Sequence, residues 1–292
     1  MRKLVALPLL ALIAVPVYCG PTYYQYDLGA LGVANADADV PFGPGWYGMW
    51  GGDKFTKGNI TVPFGSPGKT SDSTLNNNPN TQSVPFTIST NGKESWSGFQ
   101  AVKDGSQAGN APVSVDLPGT VANPGAIFLM MNTFWGSTSP SVQIVLQFAN
   151  SPSLTFDLRG NTDIRDHNDS GVQLGRPAIW TTQINSNLRD SGNGQSQATV
   201  NDETYSFQYD GSQHLVYRDV VGLFLDPAYH ADTLTMIRIL DWGANDTSPT
   251  NPNASRVWLW GASVAVVAMP EPSTWMMLAT GLGLIGLRLC RR

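Results

Sequence analysis

Apolar and polar residues alternate with a period of two on both sides of a short polar link. Val142, Ile144, Leu146 and Phe148 alternate with Ser141, Gln143, Val145 and Gln147, and Leu154, Phe156 and Leu158 repeat the pattern after Asn150-Ser151-Pro152-Ser153. Successive side chains on a strand point to opposite faces, so this spacing specifies two strands with one buried and one solvated face, joined as an antiparallel hairpin. Further strands are expected at 84–90, 113–117, 126–131, 205–209, 215–225, 234–242 and 257–267. No helical pattern intervenes to make the long crossovers that parallel strands need, which leaves antiparallel pairing. The expected fold is all-β, an antiparallel β-sandwich or jelly roll over residues 20–268, clearest over 84–268, with an N-terminal extension.

Composition supports the same reading. Glu94 and Glu203 are the only glutamates between residues 20 and 268, while the whole chain holds 30 Gly and 20 Pro, which starves helices and supplies turns. Val-Pro-Phe recurs at Val40, Val62 and Val84 with a constant spacing of 22 residues. The flanks do not repeat, so three similar strand entrances explain it better than a solenoid, which stacks whole similar units. The polar stretch 66–83, with Asn76-Asn77-Asn78-Pro79, reads as a loop between the N-terminal section and the clearer sandwich.

Both ends address a membrane. Arg2 and Lys3 precede an apolar run over 4–15, the pattern of a cleaved signal peptide covering residues 1–19. Acylation of Cys19 as a lipoprotein is disfavoured by the bulk of Tyr18. At the other end, Met269-Pro270-Glu271-Pro272-Ser273-Thr274 leads into 13 apolar residues, 275–287, followed by Arg288, Arg291 and Arg292. As a helix that run spans roughly 20 Å of a ~30 Å hydrocarbon core. The arginines would hold the C-terminus on the cytoplasmic side and leave the body outside.

This order of Pro-Glu-Pro, short apolar segment and terminal arginines resembles the PEP-CTERM sorting tail of envelope-forming bacteria, the substrate of an exosortase. The resemblance covers residues 269–292. It implies that Pro270, Glu271 and Pro272 are the recognition element, that 275–287 is a transient span of the inner membrane, and that Arg288, Arg291 and Arg292 form the stop. It also implies export to the cell surface or extracellular matrix, with a sorting protease as partner. An ordinary tail anchor is the alternative, although Pro-Glu-Pro serves no purpose in anchoring a helix.

Five of the 17 basic residues and one of the 22 acidic residues fall in these ends, leaving 12 against 21 and a body charge near −9. Nucleic acid and anionic lipid are poor partners for such a surface. The two cysteines, Cys19 and Cys290, also lie in the ends. The body therefore has no disulfide and no cysteine zinc site, and core burial must stabilise it.

From Val84-Pro85-Phe86 through the hairpin at 142–158 to Asp241-Trp242, the layout resembles galactose-binding-like jelly-roll modules over roughly residues 60–268. That likeness implies carbohydrate binding, and the candidate stacking residues are Trp96, Trp135 and Trp242. Trp135 and Trp242 fall at strand ends beside polar loops. Trp96 depends on register. A two-residue turn at Asn91-Gly92 turns it to solvent beside Thr87, whereas one more residue buries it with Ile88, the more frequent fate of a tryptophan. Trp258 and Trp260 share one face of a strand and read as packing residues, and Trp46 and Trp50 sit in a glycine-rich segment suited to capping one end of the sandwich.

Asp157, Asp163, Asp166 and Asp169, with Asn161, His167 and Asn168, are the densest group of oxygen donors. A structural calcium fits their chemistry, but the spacing lacks the EF-hand order, and a solvated acidic loop partly offset by Arg159 and Arg165 is the better reading. The glycine patterns at 43–48 and 281–286 lack the strand–helix context of a dinucleotide site. His167, His214 and His230 are the only histidines, and no nucleophile elbow accompanies them. Glu94, Glu203 and the aspartates hold the acids a glycoside hydrolase needs, without a spacing that pairs two across a bond. The sequence reads as a secreted, non-catalytic surface or matrix protein that binds polysaccharide, with a carbohydrate-active hydrolase or a purely structural matrix component as alternatives.

Overall fold

A computed structural model describes residues 22–36, 57–64, 82–103, 112–134, 140–159, 168–169, 196–199, 204–209, 212–217, 220–242 and 256–267. The strands in chain order are β1 (Thr22–Tyr26), β2 (Gly58–Phe64), β3 (Gln82–Ile88), β4 (Trp96–Ser97), β5 (Val113–Ala122), β6 (Pro124–Phe134), β7 (Pro140–Phe148), β8 (Leu154–Arg159), β9 (Asn168–Asp169), β10 (Ser196–Thr199), β11 (Thr204–Tyr209), β12 (Ser212–Tyr217), β13 (Val220–Phe224), β14 (Thr233–Asp241) and β15 (Arg256–Val266). One six-residue helix, α1 (Gly98–Lys103), follows β4. The chain is thus all-β with antiparallel pairing, and the expected β7–β8 hairpin is present with Ile144 opposite Phe156.

Of the four sheets among the described residues, which include β11-β12-β9 and the β2-β3 pair, the two largest share the main core. One has the order β1-β15-β6-β13-β10, with β4 also on β15, and the other has the order β5-β14-β7-β8. Their facing sides share one core, in which Ile127, Leu129, Val257 and Leu259 of the first meet Leu117, Ile144, Leu146 and Ile239 of the second. The opposite side of the first sheet is covered too. There Phe128, Met130, Trp258 and Trp260 pack with Val62, Val84, Phe86 and Ile88 of the β2–β3 hairpin.

This layering explains the two kinds of apolar pattern. β6 and β15 lie between two packed layers and read as unbroken runs such as Ala126-Ile127-Phe128-Leu129-Met130-Met131, whereas β5, β7, β8 and β14 alternate because only one face is covered. Trp258 and Trp260 stack with ring centroids 4.9 Å apart and planes 18° apart, an arrangement worth roughly 0.5–1.5 kcal/mol beyond their burial. Two residues apart on a strand, they share a face, and the register shift between Leu259 and Gly261, where β15 carries one residue more than β6, brings Gly261 to that face as well. Gly261 lies beneath the hairpin, and a Cβ there would come within 3.3 Å of Ile88 and 3.4 Å of Phe86.

Several expectations need correction. Asn91-Gly92 does form a turn, with Gly92 at φ +87°, but it closes no hairpin. β3 pairs with β2, placing Val62 opposite Val84, so two of the three Val-Pro-Phe copies are cross-strand neighbours. β4 pairs with β15 through Trp96 and Leu259. The expected strand at 215–225 is two strands, β12 and β13, in different sheets. β1, β9, β10 and the helix α1 were not anticipated. The third Val-Pro-Phe copy, at Val40, lies outside the described residues.

The antiparallel order sorts the strand ends onto two poles. At one, Thr22 opposes Val266, Val266 opposes Pro124 and Thr233 opposes Ala122. A backbone chain ties this pole, with Val267 N–H donating to the Asn123 carbonyl at 2.9 Å and Asn123 N–H to the Asp232 carbonyl at 3.0 Å. Asp232 then accepts from the Ser151 N–H at 2.6 Å, joining the β7–β8 turn. The other pole carries β4, the start of β15 opposite Phe134, and Asp241 opposite Val113 and Val142.

Candidate functional site

The face of the β5-β14-β7-β8 sheet turned away from the core gathers polar side chains. Because Val113, Val115 and Leu117 point inward, Ser114 and Asp116 point outward, and the same alternation turns out Arg238 and Leu240 on β14, Gln143 and Val145 on β7, and Thr155 and Asp157 on β8. Arg238 lies opposite Asp116 on one side and Val145 on the other. Leu240 lies between Ser114 and Gln143.

Two side-chain pairs order this face. Arg238 grips Asp116 with a two-pronged contact, Nε donating to Oδ1 at 2.7 Å and Nη2 to Oδ2 at 2.6 Å. These bonds, then the carboxylate charge, raise the guanidinium pKa above its ordinary value. Beside them Gln143 Nε2 donates to Asp157 Oδ1 at 2.8 Å. The Arg238 and Asp116 side chains are each 38% exposed, and planar groups of this kind are the chemistry that meets sugar hydroxyls, which act as donor and acceptor together.

Trp242 completes the face. Asp241 is fully buried, and the next residue, Trp242, is 45% exposed, in phase with Arg238 and Leu240 along β14. Among the described residues, Trp242, Tyr24 and Leu31 are the exposed large hydrophobics. An exposed indole offers a flat apolar surface that suits the C–H face of a pyranose ring.

The strand end that presents Trp242 is held from below. Arg256 Nη1 donates to the Asp241 carbonyl at 3.0 Å and lies 3.8 Å from its Oδ1, while Asp241 Oδ2 accepts the Val257 N–H at 2.9 Å. Gly98 is required next to this pair, since a Cβ there would overlap the Asp241 carboxylate. A buried charge pair is costly to form, but once formed it fixes the ends of β14 and β15 relative to each other.

The other candidates fall differently. Trp96 is corrected as a stacking residue. It is only 3% exposed, its ring lies in the core between the two large sheets, and it packs on the opposite side of the first sheet from Ile88. Trp258 is buried as expected and its indole N–H donates to Ser95 Oγ. Trp135 lies outside the described residues, one position after the end of β6. Asp157 is engaged by Gln143, Asp169 lies on β9 opposite Leu215, and Asp163 and Asp166 lie outside the described residues. Among the described residues no group of three or more His, Cys, Asp or Glu side chains could hold a metal ion. Glu94 is 4% exposed and ion-paired with Lys57, whereas Glu203 lies outside the described residues.

The sorting residues Pro270, Glu271, Pro272, Arg288, Arg291 and Arg292 also lie outside the described residues. The Arg238–Asp116 pair was missed by sequence reasoning, and its 122-residue separation leaves no local signal. The chain matches no protein-family model, no curated protein and no solved structure.

Proposed function

We propose that this chain is an exported, non-catalytic protein whose β5-β14-β7-β8 face binds polysaccharide at the cell surface or in the extracellular matrix. Export begins with the signal peptide over residues 1–19. Sorting follows through the PEP-CTERM-type tail, cut by an exosortase-type protease after transient insertion in the inner membrane. The observation that carries the binding role is the exposed Trp242 in phase with Arg238 on a solvated sheet face whose polar side chains are already ordered in pairs.

The test is retention of the tail-cleaved body on a panel of insoluble and immobilised polysaccharides, beside the Trp242→Ala variant. Retention lost on that substitution supports the assignment, and no retention on any polysaccharide removes it. Delivery has its own test in the intact mass of the protein recovered outside its native cells. Loss of the tail near Pro270 only in cells that retain the exosortase supports sorting, and survival of residues 270–292 in both strains makes the tail an anchor.

A further inference from the structure

We infer that the pole bearing Thr22 and Val267 faces the membrane while the tail is inserted, and that the pole bearing Trp242 points away from it, leaving the candidate face open before the tail is cut. The inference rests on the reading of 275–287 as a membrane span.

The sheet order brings both membrane-directed segments to one place. β1 begins at Thr22, three residues after the expected signal-peptide cut, and Thr22 opposes Val266 near the end of β15. Val267 is still tied to the body through the Asn123 carbonyl, and Pro270 follows three residues later. The sorting motif therefore starts where the sheet ends. Seven residues, 268–274, separate Val267 from the apolar segment, a reach of at most roughly 25 Å.

The candidate face extends from this pole. β14 starts at Thr233, opposite Ala122 and next to the Asp232 carbonyl that receives the Asn123 N–H. It runs nine residues to Asp241, roughly 30 Å at the rise of an extended strand. Trp242 is thus carried a full strand length from the point of attachment. A tether shorter than the body, containing Pro270 and Pro272, resists turning the body over. A body charge near −9 opposes laying its side on anionic lipid.

The experiment uses the chain without its signal peptide, with Cys290→Ser, in vesicles of phosphatidylethanolamine and phosphatidylglycerol carrying a trace of headgroup-labelled acceptor lipid. A single donor dye is placed by S153C, in the exposed β7–β8 turn, or by S114C, exposed near the far end of β5. Ser114 is level with Asp157 through Leu240 and Gln143, so the two lie roughly 14 Å apart along the strands. Stronger energy transfer from position 153 than from position 114 is expected, by about twofold or more. Equal or reversed transfer in protein that floats with the vesicles overturns the orientation alone. Failure to float overturns the membrane-span reading and the orientation with it.

Discussion

Arg256 and Asp241 form a charged pair enclosed by the core, at 1% and 0% exposure, and the carboxylate also receives the Val257 N–H at 2.9 Å. Asp241→Ala removes the carboxylate that faces the buried guanidinium and frees the Val257 N–H. Breaking a buried pair from one side costs about 3–5 kcal/mol. Urea unfolding followed by tryptophan fluorescence is expected to show a loss of that size, and a loss below ~1 kcal/mol would mean that water reaches the pair.

Trp242 and Trp96 separate binding from stability. Trp242→Ala removes an exposed ring and is expected to change stability by less than ~0.5 kcal/mol while weakening polysaccharide binding by roughly 10-fold or more. Trp96→Ala empties a core position and is expected to cost about 3–5 kcal/mol. Its affinity per folded molecule should stay unchanged. Paired melts and pull-downs check both, and equal binding losses in the two variants would show that Trp242 acts through folding.

The contrast between these tryptophans shows where sequence reading succeeds. Strands covered on one face announce themselves by alternation, and β7, β8 and β14 were legible for that reason. The doubly covered β6 and β15 were legible as continuous apolar runs, although what covered their second face was not. Trp96 escaped because Asn91-Gly92 fixes only a local turn. Partner choice was decided by the burial of Phe86 and Ile88 over Trp258 and Trp260, contacts between segments more than 150 residues apart. The Arg238–Asp116 pair escaped likewise, since its geometry exists only once β5 and β14 are adjacent. Trp242 was legible as a strand-end residue before a polar loop, while its outward phase with Arg238 came from the register of β14.

The charge of the site predicts its salt response. Arg238 is neutralised by Asp116, and the remaining carboxylate of Asp157 is bonded to Gln143, so among the described side chains the face has no surplus of positive charge for an acidic polysaccharide. Binding to an uncharged polysaccharide is expected to change less than about twofold between roughly 0.05 and 0.5 M salt, because screening acts on net charge. Arg238→Lys loses the planar fork while keeping the charge. It should weaken binding severalfold and leave stability within ~1 kcal/mol, as expected for a half-exposed pair. Affinity titrations at two ionic strengths decide the point, and a steep fall with salt would assign the face to an anionic ligand.

The acid limb of stability should trace to Asp232. Its carboxylate accepts N–H bonds from Ser151 at 2.6 Å, from Thr233 at 2.7 Å, and from Asn150 through both backbone and side chain. Hydrogen bonding, first from Ser151, lowers its pKa to about 2. The unfolded chain binds this proton near the ordinary carboxylate value of about 3.9. The stabilisation is therefore complete above pH ~4 and disappears as the pH falls towards 2. Asp232→Asn keeps an acceptor but loses the charge and places an amide against N–H donors. Its melting temperature should fall by several degrees at pH 7, and the deficit should shrink steadily between pH 4 and 2, where the native carboxyl also becomes neutral. Thermal melts of both proteins across that range provide the check. A deficit that stays constant down to pH 2 would show that shape, and not ionisation, is what Asp232 contributes to the turn.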